Sequence, residues 1–81
     1  MKWLTLNEIK DQLRIERDFD LEDDKLTGYG ESAEDVILEL CQRTYDDFID
    51  TYGGIPRPIW EATLLLVSMS YEHGSAASMQ S

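Results

Sequence analysis

Between Pro58 and His73 the chain carries a run of helix length in which Ile59, Ala62, Leu66 and Met69 form one face, while Trp60, Leu64, Val67 and Tyr71 form a second. Only Glu61, Ser68 and Glu72 make a clear polar arc. A helix apolar on most sides is either central to its domain or shared with a partner. In a chain of 81 residues the two roles are compatible. A domain this small buries only about 60% of its unfolded surface, so its core is thin and its stability marginal. Trp60, Leu64, Val67 and Tyr71 are therefore candidates for a contact between protomers, and for Trp60 and Tyr71 core and contact stand as equal alternatives.

The other segments also carry helical spacing. Thr5 and Glu8 have the spacing of a capping box, Leu4 and Ile9 that of a hydrophobic staple, and Leu6, Ile9 and Leu13 make one stripe, which predicts a helix from Leu6 to near Arg14. After a connection over Ile15 to Asp20, Asp20 is a plausible N-cap, and Glu22, Asp23 and Asp24 suit the positive end of a helix dipole. A second helix then places Leu26, Tyr29, Ala33, Ile37, Leu40, Cys41 and Thr44 on an apolar stripe, with Glu31, Glu34 and Asp35 facing away. Gly28 and Gly30 cost about 1 kcal/mol each against Ala, which predicts fraying, a kink or a later start.

Thr44 caps a short third helix carrying Tyr45, Phe48, Ile49 and Tyr52, which Gly53-Gly54 ends. In Ile55-Pro56-Arg57-Pro58 each proline drives the residue before it to extended geometry, and Pro58 suits the first position of the fourth helix. The expectation is an all-α bundle of about four helices with short loops. Residues 1–73 form one helical domain and Gly74 to Ser81 read as a flexible tail, or as a chain cut before its next element.

Net charge is −10, and the segment from Glu16 to Asp50 holds thirteen acidic and three basic residues. Such a field repels a nucleic-acid backbone, whose binding requires Lys and Arg to displace counterions. Asp18, Asp20, Glu22, Asp23 and Asp24 are the expected acidic surface. The longest apolar stretch, Ala62 to Met69, is too short to span a bilayer, and no signal peptide is readable. Cys41 is the single cysteine, which excludes an internal disulfide and fits a reducing compartment.

Signatures of chemistry are weak. Gly28-Tyr29-Gly30-Glu31-Ser32-Ala33 matches the loose dinucleotide-binding pattern, but Asp23, Asp24 and Lys25 stand where that pattern needs a buried strand. A calcium loop starting at Asp18 would need Gly at position 23 and Glu at position 29, where Asp23 and Tyr29 stand. His73 suits the end of the fourth helix as a dipole partner, and Cys41 on the apolar stripe is expected to be buried and inert. No catalytic, metal-binding or cofactor-binding residue is assigned, and no cofactor is expected.

The succession of segments carries more. Met1-Lys2-Trp3-Leu4-Thr5-Leu6-Asn7-Glu8-Ile9-Lys10, then Gln12-Leu13-Arg14-Ile15 and an acidic stretch ending in Asp23-Asp24, resemble the start of phage head-to-tail connector proteins. The likeness continues through Ala33-Glu34-Asp35 and Ile55-Pro56-Arg57-Pro58-Ile59. It extends to Ala62-Thr63-Leu64-Leu65-Leu66-Val67 and Tyr71-Glu72, so that it spans about residues 1 to 73.

The resemblance implies a helical, non-enzymatic subunit of a ring of about a dozen copies beneath the portal of a long-tailed double-stranded DNA phage. It implies assembly in the bacterial cytoplasm and a place in the virion. Its partners would be further copies of itself, the portal protein and the next connector or tail protein, with DNA only as passing cargo and no membrane. Two features depart from the family: Gly28 and Gly30 stand where the second helix is usually more strongly helical, and family members often continue beyond Tyr71-Glu72-His73.

Two rivals come from other classes. An acidic inhibitor that mimics DNA would occupy a nucleic-acid enzyme's binding site and predicts a monomer or dimer. A small metal-dependent enzyme would need clustered ligands, which one His and one Cys leave to carboxylates alone.

Overall fold

The structure, a computed structural model, describes residues 1–80, with side chains through 72. It is all-α, and its four helices are α1 (Leu6–Leu13), α2 (Asp23–Cys41), α3 (Tyr45–Tyr52) and α4 (Arg57–Gln80). The capping chemistry read from the sequence is present in atomic detail. The Thr5 hydroxyl accepts from the Glu8 amide at 3.2 Å while the Glu8 carboxylate accepts from the Thr5 amide at 2.9 Å. Thr44 and Asp47 repeat the arrangement at 3.1 Å in both directions at the start of α3. Each box satisfies amides that a helix start otherwise leaves without partners. At the other ends Arg14, Gln42 and Gly53 take left-handed conformations that close α1, α2 and α3.

α2 and α4 form the closest pair and run antiparallel. Glu22, just before α2, bonds Tyr71 in α4, while Cys41 at the end of α2 shares a groove with Ile59 near the start of α4. α1 packs against both. The core is Leu4, Ile9, Leu26, Ala33 and Val67, with Trp3, Leu6, Leu13, Tyr29, Trp60 and Leu66 among the side chains packed around it. Leu4 and Ile9 are the two halves of the predicted staple, and both are buried. α3 buries only Phe48 and is tied to the N-terminal segment by a parallel stack of Tyr45 on Trp3, with ring centroids 6.2 Å apart.

Four sequence expectations are corrected. α2 starts at Asp23 with Glu22 in the cap position and no side-chain cap bond, so Asp20 is not its N-cap. The helix is unbroken through both glycines, because tertiary contact outweighs their low propensity, so of the consequences expected from them only the later start is seen. A Cβ on Gly30 would collide with the Met1 Sδ and lie 2.9 Å from the Ile9 Cδ1, so α1 approaches α2 over a residue without a side chain. Leu40 is 74% exposed and Cys41 half-buried, because the apolar stripe of α2 runs past the end of what its neighbours cover.

Glu34 is the fourth correction: expected to face solvent, it is 1% exposed. One carboxylate oxygen accepts from the Lys2 amide at 2.7 Å, and the other accepts from the Trp3 and Leu4 amides, both at 2.9 Å. Three backbone donors surround one carboxylate, which satisfies a charge that burial would otherwise make costly. α4 is assigned to Gln80, past its expected end near His73. The expected tail from Gly74 to Ser81 and the expected capping by His73 lie outside the residues whose side chains are described.

Candidate interaction surfaces

The four candidate contact residues of α4 occupy different environments. Val67 is fully buried against α1 and α2 and is closed to a neighbour while the fold is intact. The expectation that it lies at a protomer surface therefore gives way to a core role, since Val67 and Thr63 sit at the centre of the buried arc, both at 0% exposure. Trp60, Leu64 and Tyr71 flank that arc and are half-buried.

Tyr71 is held on several sides. Its hydroxyl donates to Glu22 Oε1 at 2.9 Å, its ring meets Tyr29 edge-on, and the Lys25 ammonium lies 5.7 Å from its centroid. The hydrogen bond to Glu22 raises the Tyr71 pKa above its ordinary value, with burial adding to the effect, because both oppose a phenolate beside a carboxylate. The outward side of α4 instead displays Leu65 and Met69, 57% and 46% exposed and one turn apart.

The acidic segment divides in the same way. Asp18, Asp20 and Asp24 are exposed, whereas Glu22 and Asp23 are half-buried and engaged. Asp23 pairs at 2.7 Å with the ammonium of Lys10, which is 2% exposed and also donates to the Arg17 carbonyl at 3.0 Å. Arg17 in turn pairs with Asp11 at 2.6 Å, and this hydrogen bond lowers the Asp11 pKa and raises that of Arg17. One acidic and basic chain thus ties α1, the connection after it and the start of α2 together. Sequence reading missed Lys10 and Glu34. A signal existed for both, since Lys10 adjoins the staple residue Ile9 and Glu34 sits one turn after Gly30 beside Ala33.

Two recesses flank the start of α4. One, of about 340 Å³, lies between α1 and α4 and is lined by Glu8, Asp11, Gln12, Arg57, Trp60, Glu61 and Leu64. The Trp60 indole N–H, closed to solvent, has no acceptor among the described residues. The other, of about 490 Å³, is formed by Cys41, Arg43, Phe48, Tyr52, Pro56, Pro58 and Ile59. Among the described residues no group of three or more His, Cys, Asp or Glu side chains is placed to hold a metal ion, and no helix is long and apolar enough to cross a membrane.

The sequence profile of the phage gp6-like head-tail connector proteins matches residues 4–81. The chain belongs to that family. No curated protein and no solved structure matches it. The family is one of structural connector proteins of the phage particle. The connector's all-α fold is the one that the order of its segments implied.

Proposed function

We propose that this connector is a ring subunit that binds below the portal of a long-tailed phage, completes the DNA-filled head and continues the DNA channel toward the tail. The observation that carries the reading is the family match over residues 4–81. Two physical features support it. A repeated contact around an axis needs two different apolar surfaces per subunit. The connector offers apolar side chains to solvent on three helices, with Val36 and Leu40 on α2, Ile49 and Tyr52 on α3, and Leu65 and Met69 on α4. A net charge of −10 also leaves few cations to grip phosphates, which suits a wall along which DNA slides.

The test is native mass spectrometry over a range of concentrations, with and without portal assemblies, and negative-stain microscopy of large species. Closed rings of about a dozen copies are expected. A monomer under every condition, portal included, would overturn the reading and favour the acidic DNA-mimic inhibitor.

A further inference from the structure

The loop before α2 and the groove beyond its other end carry complementary features. In the loop, Phe19 and Leu21 are 41% and 84% exposed and alternate with the exposed carboxylates Asp18 and Asp20. Two backbone bonds, Phe19 N–H to the Glu16 carbonyl at 3.1 Å and Asp23 N–H to the Asp20 carbonyl at 3.3 Å, hold the loop in shape. Its apolar side chains are thereby presented to solvent rather than folded back.

In the groove, the Arg43 guanidinium lies over the rings of Phe48 and Tyr52, 6.0 and 5.8 Å from their centroids. Lys2, Lys10, Arg17, Lys25 and Arg57 each have a carboxylate of their own chain within 3.9 Å. Among the described residues Arg14 and Arg43 have none, in a chain with 17 acidic residues, and of the two it is Arg43 that lines a groove. An arginine on an aromatic wall, open to a carboxylate, matches an acidic loop that carries a phenylalanine and a leucine.

Loop and groove cannot meet within one chain, because the 19 residues of α2 hold them apart by about 27 Å. We propose that the Asp18–Leu21 loop of one copy seats in the Arg43 groove of a second copy. Leu21 and Phe19 lie against Phe48 and Tyr52, and Asp18 and Asp20 face the guanidinium. The contact is heterologous and joins opposite ends of the subunit, so its repetition propagates from copy to copy and closes where the rotation allows. This inference rests on the ring-subunit reading and names the surfaces that would build it.

The groove wall contains the chain's single cysteine, which supplies the test. Leu21→Cys is made in the full chain, where the 84% exposure of Leu21 spares the core, and the protein is oxidised mildly while native mass spectrometry follows its assembly state. The same separation along α2 forbids a disulfide within one chain. The expected result is a ladder of disulfide-linked multimers on non-reducing gels. Adding Cys41→Ser should abolish it, and adding Arg43→Glu should slow it about tenfold by placing like charges together. Leu65→Cys, also exposed, at 57%, but on α4 and outside the groove, is the collision control. Oligomers without the ladder, or a ladder forming no faster than with Leu65→Cys, would overturn the loop-in-groove contact and leave the connector reading standing. A monomer under every condition, portal assemblies included, with no ladder, would overturn both.

Discussion

Glu34 holds residues 2–4 to α2 by a carboxylate on which three backbone amides converge. Truncating one partner of a buried, charged hydrogen-bond set leaves the others without partners, and Glu34→Ala should cost about 3 kcal/mol. Glu34→Gln keeps one acceptor oxygen but turns an NH2 toward an amide donor, at a cost of about 2 kcal/mol. Both changes should lower the urea midpoint, and amide exchange at Lys2, Trp3 and Leu4 should accelerate. Unchanged exchange at those amides would remove the anchoring role.

Tyr71 makes a second residue-scale prediction. Its pKa is raised in the folded protein above the ordinary 10.0, first by the hydrogen bond to Glu22 and then by burial. The stability it contributes is therefore fully present below pH 10 and is lost as pH climbs through the higher folded value. Tyr71→Phe should cost about 1 kcal/mol at neutral pH, and the variant should lose stability less steeply than the parent above pH 10. Thermal melts from pH 7 to 11 would compare the two slopes.

At the scale of elements, the two glycines of α2 have opposite meanings despite being two residues apart. Gly28 faces open space, so Gly28→Ala should stabilise the helix by about 0.5–1 kcal/mol, read as a rise of several degrees in Tm. Gly30 faces the Met1 Sδ, which an exposed side chain can move aside, and the Ile9 Cδ1, which would lie 2.9 Å from a new Cβ and has core packing on its other sides. Gly30→Ala should lower Tm. Equal effects at the two positions would contradict the close approach of α1 over α2.

The same scale separates the faces of α4. Val67→Ala opens a cavity at 0% exposure and should cost about 2 kcal/mol. Leu65→Ser combined with Met69→Ser should leave folding stability within about 0.5 kcal/mol, because these side chains already face solvent. Denaturant titrations of the two variants would give the contrast directly.

For the whole molecule, charge and apolar surface act against each other. Each copy carries −10, and copies brought together repel over a range that falls to about 10 Å at 0.1 M salt. The exposed apolar side chains act at contact and are little affected by moderate salt. Self-association should therefore strengthen as ionic strength rises from about 0.01 to 0.15 M. Sedimentation velocity would check this, and association that weakens over that interval would mean that ion pairs between copies dominate.

Local rules and order along the chain made the element plan legible. The Thr5/Glu8 box, the Thr44 cap, the Leu4/Ile9 staple, the stop at Gly53 and the prolines at the start of α4 act between residues a few positions apart, so spacing alone reveals them. The succession of those segments also carried the family resemblance that the profile match bears out. Which face of a helix is covered is different, because it depends on what packs against it. Periodicity set Leu40 on a buried stripe, set Glu34 outside and left Val67 open to a partner, yet Leu40 is exposed and the other two are buried. The sequence by itself determined the number and order of the helices and the caps of α1 and α3, which rest on residues a few positions apart. Only the tertiary structure decided that the N-terminal amides meet Glu34, that Lys10 meets Asp23 and that Arg43 is left facing out, because each depends on how distant segments pack.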